Sequence, residues 1–315
     1  MKTGIGSVCQ AGIQSAWGTS VAPDSKINMT SESVAVSMEK GDEGNLLPKK
    51  TRDQADVIAV NVDGSISAIL RPEFADWLFH AALGKKASNV YTLADPNTDL
   101  PVSTMVISRG GVVKTYPDVT ITRLQLQCPA QDYVRVSFDI MGVKELSAGE
   151  TGAQTIQNLS FSLPSYKCTA AELAYAAGGT AAGSVTTKLC VEETDITIEN
   201  GTEEAPATYC DGLYNGRPVI GLRTVNVDVN IPYSDAFETF RQTYLLDTDS
   251  PTVALKLTFT TNDPDENIEI YLPNVSITGA PGNVDGQGII EASFTGEALD
   301  IDDDEPITVT VNHAA

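Results

Sequence analysis

The sequence predicts a mainly β protein made of two similar β-sandwich or barrel domains, each with one flanking α-helix. Three observations lead to this prediction. Segments of the first half return in the second half, in the same order and at nearly constant spacing. Apolar and polar side chains alternate over many short stretches, as in half-buried strands. Each half also contains one stretch with the apolar period of a helix, at the same place in the order.

The internal repeat consists of four matched pairs of segments, at offsets of 160, 165, 156 and 156 residues. It indicates a duplicated domain, and duplication within a chain often replaces symmetry between chains. The alternative is that short strand sequences look alike because few residue types suit strands. The pairs are Met38–Glu43 with Ile198–Glu203, Asn61–Asp63 with Asn226–Asp228, Tyr116–Thr122 with Leu272–Thr278, and Ser137-Phe138 with Ser293-Phe294.

The first domain is assigned to residues 1–150. Residues 1–30 carry small and polar residues and are predicted to form an irregular N-terminal arm. A first strand through Val34, Val36 and Met38 leads into a long charged loop, residues 41–56, and a second strand follows. Three later strands are predicted at Val102–Ile107, Val119–Gln127 and Tyr133–Met141.

The helix of the first domain is predicted to begin at Arg71-Pro72, because proline suits a first helical position, and to end at Gly84. Its apolar face is Phe74, Trp77 and Leu78, spaced i, i+3 and i+4. Burial of these three side chains would stabilise the domain by several kcal/mol, at roughly 1.5–3 kcal/mol for each large side chain.

A linker is assigned to residues 151–185, where an alanine- and glycine-rich stretch, Ala170–Gly183, is predicted to form a short helix. The second domain, residues 186–315, repeats the order of the first. Ser234 is the predicted N-cap of a helix whose apolar face is Phe237, Phe240 and Tyr244. Strands are predicted to open this domain and to follow its helix, at Ile196–Ile198, Val225–Ile231, Leu255–Phe259, Ile268–Ile270, Val275–Ile277, Ile289–Phe294 and Ile307–Val311.

Charge and composition restrict the function. The 315 residues carry a net charge of −22, of which −3 lies in residues 1–150 and −19 in residues 151–315. Electrostatic binding to nucleic acid requires clustered Lys and Arg, and the second half would instead repel a polyanion. No run of about 18 apolar residues could span a membrane. The first ten residues lack the features of a secretory signal, so we expect the protein to be assembled in a cytoplasm.

The chemistry of catalysis and metal binding is missing from the sequence. The five cysteines are odd in number and widely spaced, and only two histidines occur. These facts argue against a structural zinc site and favour free thiols. No nucleophile elbow and no phosphate-binding loop occurs. The interpretation is a building block, not an enzyme, with no cofactor.

The first 85 residues resemble the tail tube (major tail) proteins of long-tailed, siphovirus-like bacteriophages. The resemblance rests on a short N-terminal arm, the charged loop, and the aromatic helix that ends at Gly84. The residues that carry it are Gly18-Thr19, Ala22-Pro23, Thr30-Ser31-Glu32-Ser33, Glu39, Gly64-Ser65-Ile66 and Leu70-Arg71-Pro72.

This resemblance implies a structural virion protein of the tail. Its inner strands would join those of neighbours around a channel, and rings would stack into a tube that conducts DNA to the host without specific binding. The partners implied are further copies of the chain and other tail proteins, such as the tape measure, the terminator and the tip. The long loop would contact the adjacent ring, through Asp42, Glu43, Leu46, Leu47, Lys49, Lys50 and Arg52.

The duplication departs from single-domain tube proteins, which build six-fold rings. A chain with two tube domains would need three copies, so a homotrimeric ring with pseudo-six-fold symmetry is expected. Two alternatives stay open: another tail component such as a tail-end protein, and a carbohydrate- or cell-surface-binding β-sandwich. The second would call for exposed aromatic platforms, yet the chain has only two tryptophans.

Overall fold

The computed structural model describes residues 6–41, 56–95, 98–204, 214, 216–244, 252–279, 282–283, 291–301 and 304–313. Strands dominate it, which confirms the prediction of a mainly β protein. Its helices are α1 (Pro72–Leu83) and α2 (Asp235–Tyr244), with a short 3-10 turn at Ala182–Ser184. The strands up to α1 are β1 (Val8–Ile13), β2 (Ser25–Ile27), β3 (Met29–Glu32), β4 (Ala35–Gly41) and β5 (Asp56–Ile69).

Within the described ranges, fifteen further strands follow α1. Between the helices lie β6 (Gly84–Ala87), β7 (Val90–Leu93), β8 (Ser103–Arg109), β9 (Val112–Pro129), β10 (Arg135–Gly142), β11 (Leu146–Ser147), β12 (Lys167–Ala177), β13 (Thr187–Leu189), β14 (Glu193–Glu199) and β15 (Thr224–Pro232). After α2 come β16 (Val253–Thr260), β17 (Asn267–Gly279), β18 (Gly282–Asn283), β19 (Glu291–Ala298) and β20 (Thr308–Asn312).

Every strand joins one antiparallel hydrogen-bonded network. Its centre is a row of eight neighbours, which we call the central sheet, in the order β4, β5, β10, β9, β14, β15, β19, β17. The first part of β9 leaves the central sheet and pairs with β8 and β11, and β8 continues to β1 and β2. The first part of β17 likewise pairs with β16 and β20.

Helix α1 forms where the sequence predicts it. Pro72 occupies the first turn, and Gly84 ends the helix with a left-handed φ of 98°, its N–H bonded to the carbonyl of His80. Phe74 and Leu78 are fully buried, and Trp77 donates from Nε1 to Ser103 Oγ at 3.1 Å. The helix packs against β1, β2 and β9, and so covers the apolar side of the first half.

Helix α2 has the corresponding place after β15. The N–H of Phe237 donates to Ser234 Oγ at 3.3 Å, which makes Ser234 the N-cap. Phe237 and Phe240 are fully buried and Tyr244 is partly buried. The Phe240 ring lies 5.3 Å from that of Phe294 on β19, so α2 is fastened to the central sheet by aromatic contacts.

Two local predictions are wrong. Residues 8–13 are not an irregular arm but strand β1, whose Cys9, Gln10 and Ala11 are all buried. Because both faces of β1 are covered, the alternation that marks a half-buried strand is absent from its sequence. The alanine-rich stretch is not a helix but mostly strand β12, paired with β16 from Glu172–Thr258 to Ala177–Val253. Pairing with a neighbouring strand overrides the helical preference of alanine.

His313 near the C-terminus links both halves of the chain. Its Nδ1 lies 2.8 Å from Glu266 Oε1, and its Nε2 lies 3.4 Å from Asp76 Oδ2 on α1. Partial burial lowers the pKa of His313, but the hydrogen bond to Glu266 and the charge of Asp76 outweigh burial, so the pKa is raised. Tyr91 donates to Asp76, Tyr166 to Glu266, and Lys86 lies 3.9 Å from Asp76.

We expect His313 to make stability depend on pH. Because its folded pKa is raised, its contribution is complete below its unfolded pKa of about 6.5 and is lost as pH rises through the folded value. The contribution should be about 1 kcal/mol or less, since the pair is partly exposed. Urea unfolding at several pH values measures it: the difference in unfolding free energy between the wild type and His313→Asn should shrink above neutral pH. A difference that stays constant with pH would contradict this assignment.

Candidate functional site

One face of the central sheet carries a continuous row of polar side chains. The residues that lie directly opposite one another across seven neighbouring strands form a polar row: Ser67, Ser137, Gln125, Thr197, Asn226, Glu297 and Ser276. Side chains opposite one another on paired strands share a face, so this row runs across a single surface. We call this surface the polar face.

The other face of the same strands is the core. Residues one position along from the polar row, such as Phe138, Leu124, Ile196 and Val227, are buried at 1% exposure or less. The strict alternation along β10, β14 and β15 therefore separates the sheet into one apolar and one polar side.

Negative charge predominates on the polar face. Arg123 lies 3.6 Å from Glu199 and 4.0 Å from Asp139, and Arg135 lies 2.6 Å from Asp132, so both arginines are already in ion pairs. Burial, with Glu193 and Asp228 nearby, raises the pKa of the Asp195 carboxyl. The carboxylates of the described part of this face include Glu39, Asp63, Asp139, Glu193, Asp195, Glu199, Asp228 and Glu297.

The two halves of the central sheet meet where β9 pairs with β14. This seam runs over seven residue pairs, from Glu193–Pro129 to Glu199–Arg123, and continues as a bond of 2.9 Å from the Asn200 N–H to the Thr122 carbonyl. The fully buried Asn200 side chain donates to the carbonyls of Ala82, at 3.0 Å, and Ile121, at 2.9 Å. Asn200 thus ties the seam to the end of α1.

The two outer strands of the central sheet have free edges, by which we mean residues with a strand partner on one side only. Among the described residues, β4 pairs with β5 alone, and residues 276–279 of β17 pair with β19 alone. Met38 on β4 is 59% exposed, whereas Ile196 and Ile198 of the doubly paired β14 are buried. Unpaired strand edges are templates for pairing with another chain.

An acidic cleft of about 760 Å³ lies between the two halves and is lined by residues of both. Lys85 pairs with Asp95 and Glu305 on its wall, and Arg217 pairs with Asp99. No group of three or more His, Cys, Asp or Glu side chains that could hold a metal ion occurs within the described ranges. Four cysteines there, Cys9, Cys128, Cys168 and Cys190, are free thiols.

The sequence-predicted site residues fall into two groups. The loop residues lie outside the described residues: Asp42, Glu43, Leu46, Leu47, Lys49, Lys50 and Arg52. The helix residues Phe74, Trp77, Leu78, Phe237 and Phe240 are buried in the core and Tyr244 packs against it, so none of the six belongs to the polar face. Sequence reasoning missed the seam, Asn200 and the free edges; the alternation in β10 and β14 was the available signal for the polar face.

Comparison with known families identifies the protein class. The family described as phage tail tube protein matches residues 4–298. The chain therefore belongs to this family, as its resemblance indicated: it is a structural component of the phage tail, carried in the virion, and not an enzyme. No curated protein matches the chain. None of the helices in the described ranges is long and apolar enough to cross a membrane.

We expect Asn200, and not the exposed ion pairs, to hold the seam. Asn200→Ala leaves two buried carbonyls without their donor and should lower the unfolding free energy by about 1–3 kcal/mol. Arg123→Gln, the matched control on the same seam, should cost about 1 kcal/mol or less, because Arg123 is 43% exposed. Urea denaturation of the unassembled chain measures both. An equal or larger loss for Arg123→Gln would show that the ion pairs dominate.

Proposed function

We propose that copies of this chain assemble as homotrimeric rings with pseudo-six-fold symmetry, and that these rings stack into the tube that conducts DNA from the virion to the host. Family membership supports self-polymerisation into a tail tube. The arrangement of the central sheet supports the duplicated domain, the trimer and the channel face.

The pairing scheme supports the duplicated domain. In sheet order, β4, β5, β10, β9 of the first half correspond to β14, β15, β19, β17 of the second, and a helix follows both β5 and β15. The register agrees as well. Arg135 pairs with Gln127 in the first half, and the residues 156 positions later, Glu291 and Asn283, pair with each other in the second half.

An irregularity recurs at the same offset. The register of β10 on β9 skips Thr122, and that of β19 on β17 skips Thr278, again 156 residues later. β-bulges are specific features of a fold, so a shared bulge favours common descent of the halves over chance. At β5 and β15 the strand pairing makes Asp63 the counterpart of Asn226, whereas the sequence match makes Asn61 its counterpart, two residues earlier. A two-residue slip keeps every side chain on its face.

The number of strands favours three chains in a ring. Each chain contributes the eight strands of the central sheet, so three copies would close a barrel of roughly 24 strands. At about 4.8 Å between strands and a tilt of about 40°, its backbone would be roughly 50 Å across. Barrels of about 16–18 strands already leave an aqueous channel. Six chains would double this width, although the barrel of three chains already has enough strands to leave a channel.

The polar face suits the wall of a DNA channel. In the part of this face that the structure describes, the arginines are held in ion pairs and the carboxylates repel phosphate, so this part lacks the clustered cations that anchor DNA by counterion release. If this face lines the tube, DNA passes along it without adhering.

The loop of residues 41–56 is proposed to contact the adjacent ring. This loop connects β4 to β5. Strand β10 pairs with β5 only as far as Gly142, which lies opposite Val62, so residues 56–61 of β5 extend beyond β10 and pair with β4. Asp42 and Glu43 with Lys49, Lys50 and Arg52 would form ion pairs between rings, and Leu46 and Leu47 would add apolar contact.

Ring stoichiometry is the decisive experiment. Purified protein should form hollow tubes in negative-stain images, and native mass spectrometry of rings released from them should give three chain masses. Six chains in each ring would refute the trimer. If the purified protein forms no tubes but is found as a cap at the ends of tails, the tail-end alternative would be favoured.

Charge on the polar face should control DNA adhesion. The unassembled wild-type chain should pass through a DNA column at low salt, whereas Asp228→Lys/Glu297→Lys should be retained and elute with added salt. A control with the same change in net charge at two exposed carboxylates on other surfaces, Asp24→Lys/Asp265→Lys, should bind less. Strong retention of the wild type would contradict a non-adhesive channel face.

A further inference from the structure

We infer that the free edge of β4 in one copy pairs antiparallel with the free edge of β17 in the next copy, with Ser37 opposite Gly279. This inference rests on the proposed ring and adds the surface and the register by which its members join. It uses the seam between β9 and β14 as a template, because that seam is the same junction made within one chain.

Corresponding positions in the two halves follow from the rows of paired residues. Four residues share a row in the first half: Ala35, Asp63, Met141 and Thr120. The equivalent row in the second half is Thr197, Asn226, Glu297 and Ser276. Hence Ala35 on β4 corresponds to Thr197 on β14, and Thr120 on β9 corresponds to Ser276 on β17.

The second step transfers the register. Within the chain, Glu199 lies opposite Arg123. Glu199 is two residues after Thr197, and Arg123 is three residues after Thr120. The same counts from Ala35 and Ser276 place Ser37 of one copy opposite Gly279 of the next. The bond from the Asn200 N–H to the Thr122 carbonyl then becomes a bond from the Met38 N–H to the Thr278 carbonyl of the neighbour.

The exposure of the free edges agrees with this register. On β14 and directly after it, Ile198 and Asn200 are fully buried, whereas their equivalents on β4 are not: Val36 is half-buried and Met38 is 59% exposed. Ile277, which corresponds to Ile121 beside the Asn200 side chain, is also only half-buried. Pairing at the inferred register would bring Met38 next to Ile277 and cover both.

The two kinds of seam would differ in charge. The seam within the chain carries the Arg123–Glu199 ion pair, 3.6 Å long. At the same place, the seam between chains has Gly279 and Ser37, which carry no charge. Ring closure should therefore depend on backbone hydrogen bonds and apolar contact, and should weaken little with added salt at this row.

A disulfide tests the register directly. Asn200–Thr122 is a hydrogen-bonded pair, so its neighbour Glu199–Arg123 is a non-hydrogen-bonded one, with Cα atoms about 4.5 Å apart, a distance that a disulfide spans. Ser37→Cys/Gly279→Cys, in a Cys190→Ser background, should on oxidation convert assembled rings into covalent dimers and closed trimers on a non-reducing gel. Glu39→Cys/Gly279→Cys, displaced by two residues, should cross-link far less, and each single variant should not form closed trimers.

The outcomes separate this inference from the proposed function. Tubes without cross-links, or better cross-linking in the displaced pair, would overturn the register and leave the tube intact. Absence of rings in the wild type would overturn the proposed function itself. A ladder up to six chains would keep the seam and refute the trimer.

A second measurement avoids substitutions altogether. In the inferred register, the N–H groups of Val36 and Met38 point into the seam between chains. Hydrogen exchange of the wild-type protein should therefore slow strongly in the peptide covering residues 35–41 when rings form. Unchanged exchange of this peptide on assembly would overturn the inference even if the cysteine variant failed to fold.

Discussion

Backbone hydrogen bonding between strands is the interaction on which the whole architecture depends. Buried N–H and C=O groups need partners, and interior strands of the central sheet find them on both sides. The row of eight strands nevertheless ends at β4 and β17, where among the described residues one side is left without a strand. An open sheet of this kind is a liability in a lone molecule and an advantage in a polymer. In the proposed ring, a further copy would complete each of its two ends.

Alternation along each strand gives the central sheet two separate tasks. The apolar side receives both helices and the aromatic cluster around Phe240, and so stabilises each half. The polar side, as far as the structure describes it, carries carboxylates and paired arginines, and so offers phosphate no cation cluster there. Neither task interferes with the other, because successive side chains of a strand point in opposite directions. The seam at Asn200 joins the halves on the core side and leaves the polar face continuous.

Sequence reasoning succeeded where the period of apolar residues is regular. Both helices, and most strands of the central sheet, were found because one face of each is buried and the other is not. It failed at β1, where both faces are covered and alternation disappears, and at β12, where a paired neighbour overrides the helical preference of alanine. The polar face could have been predicted from the sequence, since β14 alternates strictly. Its continuity over seven strands could not be predicted in this way.

The sequence by itself determined the fold class, the family resemblance, the internal repeat and the negative charge, because these depend only on the types and the spacing of the side chains. Only the tertiary structure decided the order of strands, the seam between β9 and β14, the role of Asn200 and the location of the free edges. The physical reason is that strands join through backbone groups, which every residue except proline carries in the same form. Which strand lies beside which therefore leaves little trace in residue identity until the chain has folded.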